Sequence, residues 1–519
     1  MATSLLPFNR SQSFLVLLAC SALTTPSLAQ NGLPHTIEAP PGSVAFGGAV
    51  ISGGDADHDG FDDVLVADLK YERGPIAPGR WIMYSGRTGA ELWSAIGAQP
   101  LASFPIYVAG SFIGDLDGDQ CDDIILGQPS ADGGRGRVDV YSGRTGAVLR
   151  SYTGASADDG LGRDAFTVGD VNGDTTPDFA FVSRFAAPGF VSVRSGRNGS
   201  ELFQINRDWP RCIRPLGDIN RDDRDDIGIG SWELTRDGMG IGIYSGRDGQ
   251  RLAEIGRPDF QDDMFGWQLA GGVDLTGDQT PDIIASGRAD GASYAYLIDG
   301  RTGQATRQYE VPNGPLYNEL FGVSVRLADV NADGRVEAIF ESFLAMYVFD
   351  GPTGQLLHFS QPHFDLDNAW QGTEVALGDV NGDGAADFIT ADQTPPGRII
   401  ARAGAPILLH PFRPNWRINQ GVEQYTIKAY SRVPDRRIHF LASRRGTSCT
   451  FVPQIQHCID LRQPFLQIGT AITDADGFAT LTINPSHVNS GPVWLQALEP
   501  RDPGRGAITS NVLELQITE

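Results

Sequence analysis

The sequence predicts an all-β protein, a seven-bladed β-propeller over residues 33–405 followed by a small C-terminal β-sandwich over 406–519. Three observations carry this. The motif Asp-x-(Asp/Asn/Thr)-x-Asp-x-x-x-(Asp/Glu) occurs seven times, starting at Asp55, Asp115, Asp170, Asp218, Asp274, Asp329 and Asp379. The intervals are 60, 55, 48, 56, 55 and 50 residues, a regular structural unit with variable loops. A glycine-containing turn recurs six times, and 64 Gly and 32 Pro spread along the 519 residues disfavour long helices.

In chain order, the first 29 residues read as a signal peptide. Arg10 is the sole charge, Phe14 to Leu23 is apolar, and Ser27-Leu28-Ala29 suits cleavage before Gln30. Leu17-Leu18-Ala19 before Cys20 also fits a lipoprotein leader, although the apolar run before that cysteine is short. No later run approaches the roughly 18 apolar residues of a membrane span.

Each unit opens with an apolar strand, as in Phe46-Gly47-Gly48-Ala49-Val50, Phe265-Gly266-Trp267 and Phe321-Gly322-Val323. The acidic motif follows, then a β-type run: VLVA, IILG, FAFV, IGIG, IIAS, AIFE and FITA in turn. Further on stand YSGRTGAEL at Tyr84, YSGRTGAVL at Tyr141, RSGRNGSEL at Arg194, YSGRDGQRL at Tyr244, IDGRTGQAT at Ile298 and FDGPTGQLL at Phe349. Apolar residues around a glycine turn mark a hairpin, so each unit supplies four strands, one propeller blade. The seventh unit lacks this hairpin, and residues near 35–39 are expected to supply its fourth strand and close the ring. After residue 405 the repeat stops, and runs such as EQYTIKAY and VWLQALEP give the sandwich. There Asp474-Ala475-Asp476-Gly477 is read as a plain turn.

The seven loops are candidate metal sites. Asp55/Asp57/Asp59/Asp63 and Asp115/Asp117/Asp119/Asp123 are complete carboxylate sets. Asp170/Asn172/Asp174/Asp178 and Asp379/Asn381/Asp383/Asp387 are close to that. Asp218/Asn220/Asp222/Asp226 has Arg221 and Arg224 beside it, which lower the local field. Asp274/Thr276/Asp278/Asp282 has one weaker ligand, and Asp329/Asn331/Asp333/Glu337 ends on a longer acid. Crowded carboxylates repel without a counter-ion. Positions 1, 3, 5 and 9, with a backbone carbonyl at position 7, make a hard oxygen cage suited to Ca2+, up to seven ions with a structural role. Asp- and Gly-rich turns arise without metal, but seven copies in register argue against that alternative. An EF-hand needs Glu at position 12, where Val66, Leu126, Phe181, Ile229, Ala285, Phe340 and Thr390 stand instead.

The order Phe-Gly, apolar strand, Asp-x-Asp/Asn-x-Asp-Gly-x-x-Asp resembles the FG-GAP repeat of integrin alpha-chain propellers and their bacterial relatives, over roughly residues 33–405. Phe-Gly is replaced in the second unit by Phe104-Pro105 and is missing from the third, fourth and seventh. The position-6 glycine remains as Gly60, Gly334 and Gly384. The resemblance implies calcium that stiffens the blades and partners that contact the opposite face. The C-terminal region shows no integrin leg features, and no von Willebrand-type insert interrupts the blades.

A net charge of −24 with only two lysines, Lys70 and Lys428, makes nucleic acid and anionic membranes poor partners. The expected role is extracellular recognition or adhesion by a secreted or cell-surface protein, with a protein or glycan ligand and no catalysis. Contact loops are expected at 67–80, 127–137, 153–166, 231–240, 256–264 and 359–371, with Tyr71, Arg73, Trp232, His363 and Trp370 as candidates. Two enzyme classes compete. A polysaccharide lyase would need a base and charge stabilisers in one pocket, and the few histidines of the propeller region, His35, His58, His358 and His363, form no motif. YSGRTGAELW resembles a blade motif of quinone-dependent dehydrogenases, to which the acidic loops are foreign. Cys449 and Cys458 are expected to form a local disulfide, and Cys121 and Cys212 to be buried thiols.

Overall fold

Continuous apolar runs become fully buried strands. Val64–Asp68, Asp123–Gln128, Asp178–Ser183 and Asp226–Ser231 are buried along their whole length. Fourth strands such as Val148–Thr153 and Arg251–Gly256 are mostly exposed or half-buried and form outer edges.

In this computed structural model the described residues are 36–41, 43, 46–68, 79–96, 109–157, 159–186, 188–231, 240–256, 265–289, 292–309, 321–331, 333–342, 346–360, 375–382, 384–392 and 397–402. Beyond these they are 408–412, 425–430, 437–445, 447–452, 457–461, 463–473, 478–483, 491–500, 507–509 and 513–517. Two compact units meet in sequence between Pro406 and Ile407.

The first unit holds seven four-stranded antiparallel sheets. Blade 1 is Phe46–Ser52, Val64–Asp68, Arg80–Tyr84 and Glu91–Ile96, in that order. Blades 2 to 6 repeat this from Ala109–Gly114, Leu161–Gly169, Pro210–Gly217, Leu269–Val273 and Ser324–Ala328. Blade 7 has Val375–Gly378, Asp387–Asp392 and Arg398–Arg402, and its fourth strand is Thr36–Glu38. Thr36 faces Ile400, Ile37 faces Ile399 and Glu38 faces Arg398, so the N-terminal strand closes the ring as its spare β-run predicts.

Apolar clusters lie between neighbouring blades. Phe46, Val66 and Ile82 of blade 1 pack with Ile389 and Ile399 of blade 7, and Ile37 packs against them. Leu297 and Tyr309 of blade 5 pack with Phe321 and Phe340 of blade 6. The glycine after the opening aromatic belongs to these contacts. A Cβ on Gly47 would sit 2.8 Å from the Ala391 Cβ, and one on Gly322 would sit 2.6 Å from the Ser286 Cβ. In blade 3 the pair persists as Leu161-Gly162, where an added Cβ would sit 2.9 Å from the Gly127 Cα. Phe-Gly is therefore a blade-to-blade packing device that only some units spell with phenylalanine.

The second unit has a three-stranded sheet, Leu408–Phe412, Tyr425–Tyr430 and Phe478–Ile483. A five-stranded sheet comprises Phe465–Ile472, Arg437–Ser443, Gly491–Pro500, Ala507–Thr509 and Leu513–Ile517. Ala429 and Ala479 of the first share a core with Ile438, Phe440, Leu495 and Ala497 of the second, which makes a sandwich. Cys449 and Cys458 lie on the paired strands Thr447–Val452 and His457–Leu461, with Cys458 opposite Phe451. The turn at 474–477 lies outside the described residues.

Candidate metal centres

Every acidic loop joins the first and second strands of its blade, and its aspartates first organise its own backbone. At position 1, the Asp55 Oδ1 accepts from the Asp59 N–H at 3.0 Å and its Oδ2 from the Gly60 N–H at 2.8 Å. Asp170 repeats this with Asp174 and Thr175, and Asp218 with Asp222 and Asp223. The wrapped chain needs left-handed backbone at positions 4 and 6. Glycine serves where present, but Gln120, Thr175, Asp223 and Gln279 take φ of 69°, 70°, 63° and 67° at position 6. Each costs about 1 kcal/mol against glycine, and the carboxylate bonds hold the turn despite it.

Position 9 is a clamp. The Asp63 Oδ2 accepts from the Ala56 N–H at 2.7 Å, and its Oδ1 from the Gly86 N–H at 2.9 Å. Gly86 is the glycine of the SGRTG hairpin, so one buried carboxylate joins the two recurrent motifs. Asp123 does the same with Leu116 and Gly143 at 2.8 and 3.0 Å, and Asp178, Asp226 and Asp282 follow. The hairpin glycine is required by close approach: a Cβ on Gly143 would lie 1.9 Å from the Asp122 carbonyl oxygen. Burial pushes the Asp63 carboxyl up to about 7, those of Asp123, Asp178 and Asp226 to about 6, and that of Glu337 to about 9. Neighbouring loop carboxylates add to the rise, and the backbone N–H donors oppose it.

Position 3 separates the loops. In loops 3, 4, 6 and 7 the Nδ2 of Asn172, Asn220, Asn331 and Asn381 donates to the position-9 carboxylate at 3.0, 3.2, 3.1 and 2.9 Å. In loop 5 the Thr276 hydroxyl donates to Asp282 at 3.4 Å. Loops 1 and 2 have aspartate there and no such donor. Ligand oxygens of Asp55, Asp57 and Asp63 lie within 4.8 Å of one another, as do those of Asp115, Asp117 and Asp123. The buried Asp57 Oδ1 has no hydrogen-bond partner. Three converging carboxylates and an orphaned oxygen suit a hard divalent cation. Asp55, Asp57, Asp59 and Asp63 would hold it in loop 1, and Asp115, Asp117, Asp119 and Asp123 in loop 2. Asp383 of loop 7 lies outside the described residues.

Position 8 links loops around the ring, a role the motif pattern does not reveal. The Asp122 N–H donates to the Asp55 carbonyl at 2.8 Å, and the Asp55 N–H donates to the Asp122 Oδ2 at 3.0 Å. Asp62 and Asp379 exchange the same pair at 3.1 and 2.7 Å, joining loops 1 and 7. Ala386 donates to the Asp329 carbonyl at 2.8 Å. Pro177 and Pro281 pack instead against Gly114 and Gly217 of the preceding blade. Arg221 and Arg224 do not sit in their own loop's centre: Arg221 donates to Thr280 of loop 5, and Arg224 lies against Gly173 of loop 3.

Strand direction puts the connections between second and third strands, and those between blades, at the opposite end. Tyr71, Arg73, Trp232, His363 and Trp370 lie outside the described residues. Two aromatics not flagged by sequence are there: Phe185 and Trp209 are 52% and 47% exposed, with ring centroids 5.7 Å apart. The Arg184 guanidinium is 5.1 Å from the Phe185 ring and 6.0 Å from that of Trp209. Their single occurrence in short connections gave no repeat signal. Cys121 and Cys212 are buried free thiols.

Seven four-stranded blades with an acidic loop at one shared junction define a seven-bladed propeller whose loops resemble the FG-GAP repeat. Among curated proteins the chain is similar to integrin alpha-V of Gallus gallus, 27% identical over 219 residues, covering 36% of this chain and 20% of that protein. It is also similar to integrin alpha pat-2 of Caenorhabditis briggsae, 25% identical over 221 residues, covering 36% and 18%. The chain thus spans about a fifth of the length of these relatives. No family model matches it. Among the described residues, no helix is long and apolar enough to cross a membrane.

Proposed function

We propose that this chain is an exported, calcium-stabilised propeller that binds an extracellular protein or glycan in recognition or adhesion, without catalysis. The observation that carries the reading is the pair of carboxylate triads in loops 1 and 2, with the partnerless buried Asp57 oxygen at the first. Bound Ca2+ supplies the positive charge these groups lack, and the position-9 clamps pass the stiffening to the hairpins. The signal-like leader supports export. Similarity to integrin alpha chains supports recognition, and the Phe185–Trp209 pair offers a contact at the end away from the loops.

Two measurements test this. Calcium titration by calorimetry is expected to show several sites, and chelation to lower the melting temperature; no uptake of calcium refutes the metal assignment. A glycan and protein array is expected to yield a ligand whose binding falls when Phe185 and Trp209 are both changed to Ala. A chain that binds nothing on such arrays and turns over a polysaccharide refutes the recognition role.

A further inference from the structure

The hairpin arginine has no place in the metal chemistry above, yet in three blades it returns to the acidic loop, each time with Nη2 donating to a loop carbonyl. In blade 2 the Arg144 Nε donates to the Asp119 Oδ2 at 3.1 Å and its Nη2 to the Asp119 carbonyl at 2.8 Å. In blade 3 the Arg197 Nη2 donates to the Asp174 carbonyl at 2.9 Å, with Nε 3.7 Å from Oδ2. In blade 5 the Arg301 Nη2 donates to the Asp278 carbonyl at 2.7 Å and pairs with its carboxylate. Each of these aspartates holds position 5 of its loop.

Docking goes together with the residue at the neighbouring position 7. It is small in the three docked loops: Cys121, Thr176 and Thr280. In blade 1 it is Phe61, and Arg87 lies over that ring at 4.9 Å instead of reaching Asp59. In blade 4 it is Arg224, a like charge, and Arg247 makes no pair with Asp222. In blade 6 it is Arg335, which pairs with Asp350, and the hairpin residue is Pro352.

We infer that the docked arginine is a built-in counter-ion that grades the calcium sites around the ring. Loops 2, 3 and 5 carry a tethered positive charge on position 5, and loop 1 carries none. The tethered charge offsets carboxylate repulsion in the metal-free loop and opposes the entering cation. Docked loops therefore bind calcium more weakly and tolerate its loss better than loop 1. This rests on the calcium reading above.

Loops 1 and 2 have the same four carboxylates, so they form the natural comparison. Calcium alone is titrated by calorimetry into wild type, Arg144→Gln, Arg87→Gln and Phe61→Thr, and each is melted in chelator. Arg144→Gln is expected to move one site about tenfold tighter, as removal of one partly screened charge beside the ion predicts. The same variant should melt lower than wild type in chelator, whereas Arg144→Lys keeps the wild-type affinity. Arg87→Gln should leave affinities unchanged, and Phe61→Thr should weaken one site by freeing Arg87 to dock on Asp59. Arg144 is half-exposed, so folding is not at risk. Calcium binding by wild type with no tightening in Arg144→Gln overturns the inference alone. No calcium binding by wild type overturns it together with the metal reading.

Discussion

Changing Asp123 to Ala separates the two roles that position 9 could play. If Asp123 served only a cation, its loss would matter only when calcium is present. The structure makes it a clamp as well, because its oxygens hold the Leu116 and Gly143 N–H groups at 2.8 and 3.0 Å in a buried setting. Alanine leaves both donors unsatisfied at about 1–3 kcal/mol each, or about 2–6 kcal/mol together. Relief of the buried carboxylate's own desolvation, visible in its rise to about 6, trims this toward the lower end. At roughly 2 °C per kcal/mol for a large domain, the melting temperature in chelator should fall by about 4–12 °C. Asp117→Asn is the paired control. Asp117 accepts only a weak 3.2 Å contact from the Asp119 N–H, and asparagine at this position donates to the position-9 carboxylate in loops 3, 4, 6 and 7, so its change should alter the calcium response while the chelated melt stays at or above wild type. Differential scanning calorimetry with and without chelator reads both variants. An Asp123→Ala protein that melts with wild type in chelator refutes the clamp.

Three further outcomes are expected. Gly143→Ala should destabilise by at least the ~1–3 kcal/mol of an overpacked core, because the new Cβ would meet the Asp122 carbonyl at 1.9 Å; equilibrium denaturation with an unchanged midpoint contradicts this. Ile37→Asp places a charge on the closing strand against the blade 1–blade 7 cluster, and should cost about 2 kcal/mol or more, read as faster proteolysis within blade 7. The third concerns pH in the metal-free state. Asp63, Asp123, Asp178, Asp226 and Glu337 have folded values raised to about 7, 6, 6, 6 and 9 by burial, so the folded protein holds protons more tightly than the unfolded chain. Metal-free stability should then rise as pH falls from about 9 toward 5 and level off near the unfolded carboxylate range of about 4. With saturating calcium the trend should reverse, because protons compete with the ion; melts in calcium-free buffer at pH 5.5 and 8.5 check the sign.

Much of the fold is legible in sequence because its signals are local. A strand that is buried on both faces must be apolar throughout, as in VLVAD and DFAFVS. A tight carboxylate-wrapped turn needs Asp at position 1, since its oxygens reach N–H groups four and five residues on. The missing seventh hairpin and the spare N-terminal strand even disclosed how the ring closes. Phe-Gly was only partly legible: its purpose is glycine's close approach, which blade 3 keeps with Leu161 in place of phenylalanine.

The sequence by itself determined the repeat, the strand pattern and the thirds of each loop rich in acid, because spacing of three to nine residues fixes which groups share one turn. Tertiary structure decided what each acid does. It made position 9 a clamp on a hairpin glycine some twenty residues away, and it set the hairpin arginine on position 5 in blades 2, 3 and 5. It also joined Asp62 to Asp379 across 317 residues of chain. Such contacts depend on where separate strands end in space, and no spacing along a single chain encodes that distance.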